Sequence, residues 1–78
     1  MGVKHSIMVN SGASANDITL LALREIEGHG EIILPPLTWV SDVSAVIRAG
    51  FTPKFVDIKM ETLAMDPLLV ERAITSNT

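Results

Sequence analysis

The sequence contains no cysteine, and only 4% of its 78 residues are aromatic: one tryptophan and two phenylalanines. Without cysteine there is no disulfide scaffold and no Cys-based zinc site, a usage that fits the cytosol. Positive charge is also scarce. Six Lys and Arg stand against nine Asp and Glu, for a net charge of −3. The basic residues (Lys4, Arg24, Arg48, Lys54, Lys59, Arg72) are scattered along the chain. This excludes the electrostatic footprint of a nucleic-acid binder and a polybasic membrane patch. No apolar run approaches the roughly 20 residues that span a bilayer, and the N-terminus has no signal-peptide core. The expectation is a soluble, cytoplasmic protein with neither nucleic acid nor membrane as partner.

What is present is apolar. Hydrophobic residues make up 47% and charged residues 19%, with a mean hydropathy of +0.38. That excludes intrinsic disorder, which needs low hydrophobicity and high net charge. A chain this short buries only about 60% of its unfolded surface, so a self-sufficient core is marginal. The composition exceeds what a lone small domain carries. It fits a piece of a larger α/β domain, or a chain that associates with itself.

Three short β-branched runs alternate with three helical patterns. Ser6–Asn10 reads as a strand ended by Ser11-Gly12. Ile18, Leu21, Ala22 and Ile26 then recur at helical spacing from Ala13 to Ile26, with Leu20 and Leu23 widening the stripe. Ser14 and Asp17 have capping-box spacing, and Gly28-His29-Gly30 ends the helix. The run Ile32-Ile33-Leu34, within Glu31–Pro35, predicts a strand covered on both faces, stopped by Pro35-Pro36. A second helix is predicted from about Ser41 or Asp42 to Gly50, carrying Val43, Val46 and Ile47 inward. Thr52–Asp57 reads as the third strand, and Asp66-Pro67 as the start of a third helix. The resulting β-α-β-α-β-α order predicts a three-layer α/β fold with a parallel sheet and right-handed crossovers.

Two segments could carry chemistry. Asn10-Ser11-Gly12-Ala13-Ser14-Ala15 joins strand to helix, and its small residues let backbone N–H groups approach a phosphate at a helix N-terminus. It is neither a Walker A loop nor a GxGxxG fingerprint, and on spacing alone an ordinary capped turn is the favoured explanation. Thr38-Trp39-Val40-Ser41 follows the second strand, where open α/β sheets place ligands. Trp39 could stack on a flat ring or anchor a helix to the sheet. Asp57 could orient a ligand or form a turn. His5 and His29 stand alone and read as surface residues, so no metal site is expected. Lys4, Lys54 and Lys59 have no apolar surroundings suited to a Schiff-base nucleophile.

In order and spacing, the chain resembles the DegT/StrS-type, fold-type-I pyridoxal-phosphate (PLP) enzymes of sugar biosynthesis. The stretches that carry the resemblance are Val9-Asn10-Ser11-Gly12-Ala13-Ser14-Ala15-Asn16, Glu31-Ile32-Ile33-Leu34-Pro35 and Thr38-Trp39-Val40-Ser41. They continue through Ala49-Gly50-Phe51-Thr52-Pro53, Phe55-Val56-Asp57-Ile58, Glu61-Thr62-Leu63, Met65-Asp66-Pro67 and Ala73-Ile74-Thr75. The resemblance implies that residues 1–78 form one partial domain, the N-terminal part of the large domain. It implies PLP as cofactor, with Gly12, Ala13 and Ser14 at the phosphate and Trp39 stacked on the ring. Where this chain has Ala13 the family commonly has Thr, so one hydroxyl contact is absent. The family's Asp partner of the pyridine nitrogen and its catalytic Lys or His fall beyond residue 78. By this resemblance the chain holds no catalytic residue and is inactive alone.

The activity implied for the parent is amino transfer from glutamate or glutamine to a nucleotide-linked keto-sugar. The alternative is a PLP- or PMP-dependent sugar 3-dehydratase, which Asn16 after Ser14-Ala15 suggests. In the family the first strand and the next two lie at opposite sides of the sheet. A homo-oligomer, a dimer or a strand-swapped form, is therefore expected. A non-enzymatic dimerisation or interaction module is the rival from another class.

Overall fold

The computed structural model describes residues 2–78, with α1 (Gly12–Glu27), β1 (Glu31–Leu34), α2 (Val40–Arg48), β2 (Thr52–Phe55) and α3 (Pro67–Ala73) in that order. β1 and β2 pair in parallel, Glu31 opposite Thr52 and Leu34 opposite Phe55, with α2 as the crossover between them. The α/β alternation and the parallel sheet follow the sequence pattern. Both strands are short because proline flanks or interrupts them: Pro35 follows β1 and Pro53 lies inside β2.

The first predicted strand does not form. Ser6–Asn10 belongs to neither a helix nor a strand, and Ile7 and Met8 are 84% and 95% exposed. β-branched residues favour an extended backbone, but a strand also requires a neighbour to accept its hydrogen bonds. No described strand runs beside this segment. β1 is likewise half-buried throughout rather than covered on both faces.

The core lies where the two longer helices meet the strands. Val46, Ala49 and Phe51 are buried, and Leu20, Leu23, Ile32 and Leu34 pack against them. Thus α1 turns Leu20 and Leu23 to the core, while Ile18, Leu21 and Ile26 remain largely exposed. On α2 the buried pair is Ala45 and Val46. Val43 is half-buried, and Ile47 points outward rather than inward. The two alanines let the helix approach closely, a role that hydropathy barely registers. α1 and α2 lie side by side and point the same way, as two contacts show. Asn16 meets Asp42 near their starts, and Arg24 meets the Gly50 carbonyl near their ends, each across 26 residues.

The ends follow local chemistry. Gly28, at φ 77°, closes α1 by donating to the Arg24 carbonyl. Asp66 caps α3 by accepting from Leu68 N–H, with Pro67 at the first helical position. α3 buries none of its residues. The C-terminal tail closes one flank of β1, where Glu31 N–H donates to the Asn77 carbonyl at 2.7 Å.

Candidate functional site

The chain leaves β1 at Leu34 and enters α2 at Val40, so α2 begins at the carboxyl end of the sheet. Because α1 runs alongside α2 in the same sense, its N-terminus opens at that end too. Two helix N-termini, each carrying roughly half a positive charge, therefore meet where ligands of open α/β sheets bind. A cavity of about 320 Å³ lies there, lined by Asn16, Leu34, Pro35, Thr38, Asp42 and Met65 among others.

At the head of α1 the cap is Ser11 and not Ser14. Ser11 has an extended backbone and its hydroxyl accepts from Ser14 N–H at 3.1 Å. The predicted capping box does not form, since Asp17 instead receives Arg48 Nη2 at 2.6 and 2.8 Å. The Ser14 hydroxyl donates to Asn10 Oδ1 at 2.6 Å and accepts from the Ser11 hydroxyl. Of the three residues expected at a phosphate, Ser14 is thus engaged within the turn. Gly12 and Ala13 keep backbone N–H groups with no acceptor among the described residues. A Cβ added at Gly12 would meet nothing within 4 Å. Packing does not demand glycine there, and its surroundings are open for a ligand. The first turn of α1 carries no acidic residue, which leaves the partial charge of the helix free to attract an anion.

Trp39 does not anchor a helix. It is 82% exposed, standing with Leu37 and Thr38 around an open hollow. Trp39 also occupies the N-cap position of α2 and provides no side-chain hydrogen bond there. Ser, Thr, Asp and Asn are the residues that normally stabilise that position, by about 1 kcal/mol.

The two expected segments are tied together by Asp42, which the sequence marks only as a possible helix start. Its Oδ1 accepts from Asn16 Nδ2 at 2.9 Å, and its Oδ2 from the Thr38 hydroxyl at 2.5 Å. Asn16 lies four residues, about one turn, beyond Gly12. The phosphate-type turn and the indole-bearing loop are thus joined through a single carboxylate. Open donors at a helix N-terminus suit a phosphate dianion, and an exposed indole suits a flat, electron-poor ring. The residues present fit a phosphorylated aromatic cofactor.

The remaining candidates fall into structural roles. Asp57 Oδ1 accepts from the N–H of its neighbour Ile58 at 2.8 Å. Lys54 pairs with Glu31 at 3.2 Å, and Lys59 lies 3.9 Å from Asp66. His5 and His29 are exposed. Among the described residues there is no cluster of metal-ligating side chains. No helix there is long and apolar enough to cross a membrane.

The chain is similar to known proteins over its whole length. The model of the DegT/DnrJ/EryC1/StrS aminotransferase family matches residues 1–78. A solved structure of the E. coli GDP-4-keto-6-deoxy-D-mannose-3-dehydratase with bound hydrated PLP is similar, with a TM-score of 0.86 and 33% sequence identity. The match covers 99% of this chain and 21% of that one, so the chain spans about a fifth of the dehydratase.

Proposed function

The chain belongs to the DegT/DnrJ/EryC1/StrS aminotransferase family, and from that premise we propose that it provides the phosphate-holding turn and the ring-stacking indole of a PLP site in a sugar-modifying enzyme. One observation carries the reading. The open donors of Gly12 and Ala13 at the head of α1 are tied through Asp42 to the loop that holds Trp39 in solvent.

When bound, PLP supplies an electron sink for bond changes beside an amine-bearing carbon. The part of this chain is binding and orientation. Gly12 and Ala13 N–H donate to the phosphate, reinforced by the α1 dipole. The Ser14 hydroxyl can join them only by releasing Asn10. Trp39 would cover one face of the ring and keep water from it.

For the whole enzyme the proposed reaction is amino transfer from glutamate or glutamine to a nucleotide-linked keto-sugar, which the family's description supports. A second reading is a sugar 3-dehydratase. It draws on the 33% identity to a dehydratase and on Asn16 after Ser14-Ala15.

Self-association belongs to the same proposal. The chain exposes 6015 Å², whereas a folded monomer of 8.4 kDa is expected to expose about 4,600 Å². The difference, about 1,400 Å² per chain or about 2,800 Å² over a pair, lies in the range of obligate homodimer interfaces.

The cofactor reading is tested by titrating the chain with PLP and following Trp39, the only tryptophan. Pyridoxal without the phosphate is the control. Saturable quenching by PLP alone is expected. Absence of quenching on a chain with a helical circular dichroism spectrum would favour the rival reading, a non-enzymatic interaction module.

A further inference from the structure

We infer that Asp42 is a positioning residue: its carboxylate locks the Thr38–Trp39 loop to the first turns of α1, and so fixes where the indole stands relative to the Gly12 and Ala13 donors. The purpose of the lock rests on the proposed cofactor site, but the lock itself is a property of the free chain.

Asp42 holds the loop on both sides of the peptide that carries the indole. Its Oδ2 accepts from the Thr38 hydroxyl and its backbone N–H donates to the Trp39 carbonyl at 3.0 Å. Its Oδ1 reaches across to α1, accepting from Asn16 Nδ2. An Asp in the first turn of a helix is common for another reason, since its charge suits the local dipole. A carboxylate in that role alone is free in solvent or turned to its own first-turn N–H groups. Here both oxygens go to side chains, one 4 and the other 26 residues away.

Little else restrains the loop. Trp39 is too exposed to be held by packing, and it makes no capping hydrogen bond. Docking of α2 on α1 does not depend on Asp42. The Arg48–Asp17 ion pair and buried Val46 secure it further along the helix. Removing the carboxylate therefore frees the indole while leaving the helices in place.

The test uses the 78-residue chain and reads the steady-state emission anisotropy of Trp39 without cofactor, followed by PLP titration. Asp42→Ala is expected to lower the anisotropy and weaken PLP binding about tenfold, with the helical circular dichroism signal retained. Asp42→Asn keeps one acceptor oxygen and should fall between Asp42→Ala and the parent. Thr38→Val removes only the loop-side bond and should also lower the anisotropy.

A residue with a merely structural role would lower the melting temperature and leave the anisotropy of the folded chain unchanged. Parent-like anisotropy in folded Asp42→Ala and Thr38→Val overturns the inference. If Asp42→Ala does not fold, Thr38→Val decides alone, a lowered value supporting the lock and an unchanged one overturning it. If PLP fails to quench even the parent chain, the cofactor reading falls, and the cofactor-free anisotropy still decides the lock.

Discussion

The Arg24 guanidinium stands 5.9 Å from the centre of the Phe51 ring and donates to the Gly50 carbonyl at 2.8 Å. One side chain of α1 thus secures the turn between α2 and β2. That turn needs glycine, since Gly50 sits at φ 80°, in the left-handed region that other residues rarely adopt. The two interactions are worth about 1–2 kcal/mol together. Arg24→Ala is expected to lower the melting temperature by roughly 5–10 °C, measured by circular dichroism. Arg24→Lys should recover less than half of that, because an ammonium cannot both stack on the ring and reach the carbonyl as a planar fork does. Full recovery by lysine would show that charge alone matters.

At the head of α1 the methyl of Ala13 stands beside two open donors. A hydroxyl at this position adds a third group able to donate to a phosphate, worth about 1 kcal/mol net. Ala13→Thr is therefore expected to tighten PLP binding about fivefold without changing the affinity for pyridoxal, as read from Trp39 quenching. Equal gains for both ligands would mean that the added side chain touches the ring or the protein instead of the phosphate.

The surface between residues 5–9 and α1 forms an open groove of about 570 Å³, with Ile7, Val9, Ile18 and Ile26 among its lining residues. Ile26 is 77% exposed. Exposed apolar surface of this kind marks an interface. Sedimentation equilibrium between about 10 and 100 μM is expected to show a dimer or larger species, with Ile26→Glu shifting it toward monomer. An unshifted association constant would move the interface to the outer edge of β2.

How far the sequence foretells this molecule depends on the range of the determining interactions. Asp66-Pro67 and Gly28 act within a few residues, and both helix boundaries they predict are present. The parallel pairing of Ile32-Ile33-Leu34 with β2 follows from alternation of strand and helix patterns. The strand at Ser6–Asn10 fails because propensity is local, whereas a ladder needs a neighbour. Ser11 displaces Ser14 as the cap of α1 because Asp17, the other half of the expected box, is held by Arg48, 31 residues away. Ala45 and Ala49 are overlooked as core because their apolar signal is weak and their contribution is closeness. For the site, the resemblance marks the Gly12–Ser14 turn and Trp39. The Asn16–Asp42–Thr38 link emerges only once two helices are known to lie side by side.

Trp39 carries the sharpest contrast between stability and binding. As the N-cap of α2 it leaves the first N–H groups of that helix without a side-chain acceptor, and as an exposed indole it adds nothing to the core. A polar cap in its place should stabilise α2. Trp39→Ser is expected to raise the stability of the chain by about 1 kcal/mol, or roughly 4–8 °C in melting temperature. The same change removes the stacking surface and should weaken PLP binding about tenfold or more, worth about 1.4 kcal/mol. Equilibrium dialysis must report the binding, since the variant has no tryptophan. Opposite signs for the two effects would identify Trp39 as a residue retained for a ligand at the expense of the fold. A fall in both would make the indole part of the structure after all, and would remove the stacking half of the proposed site.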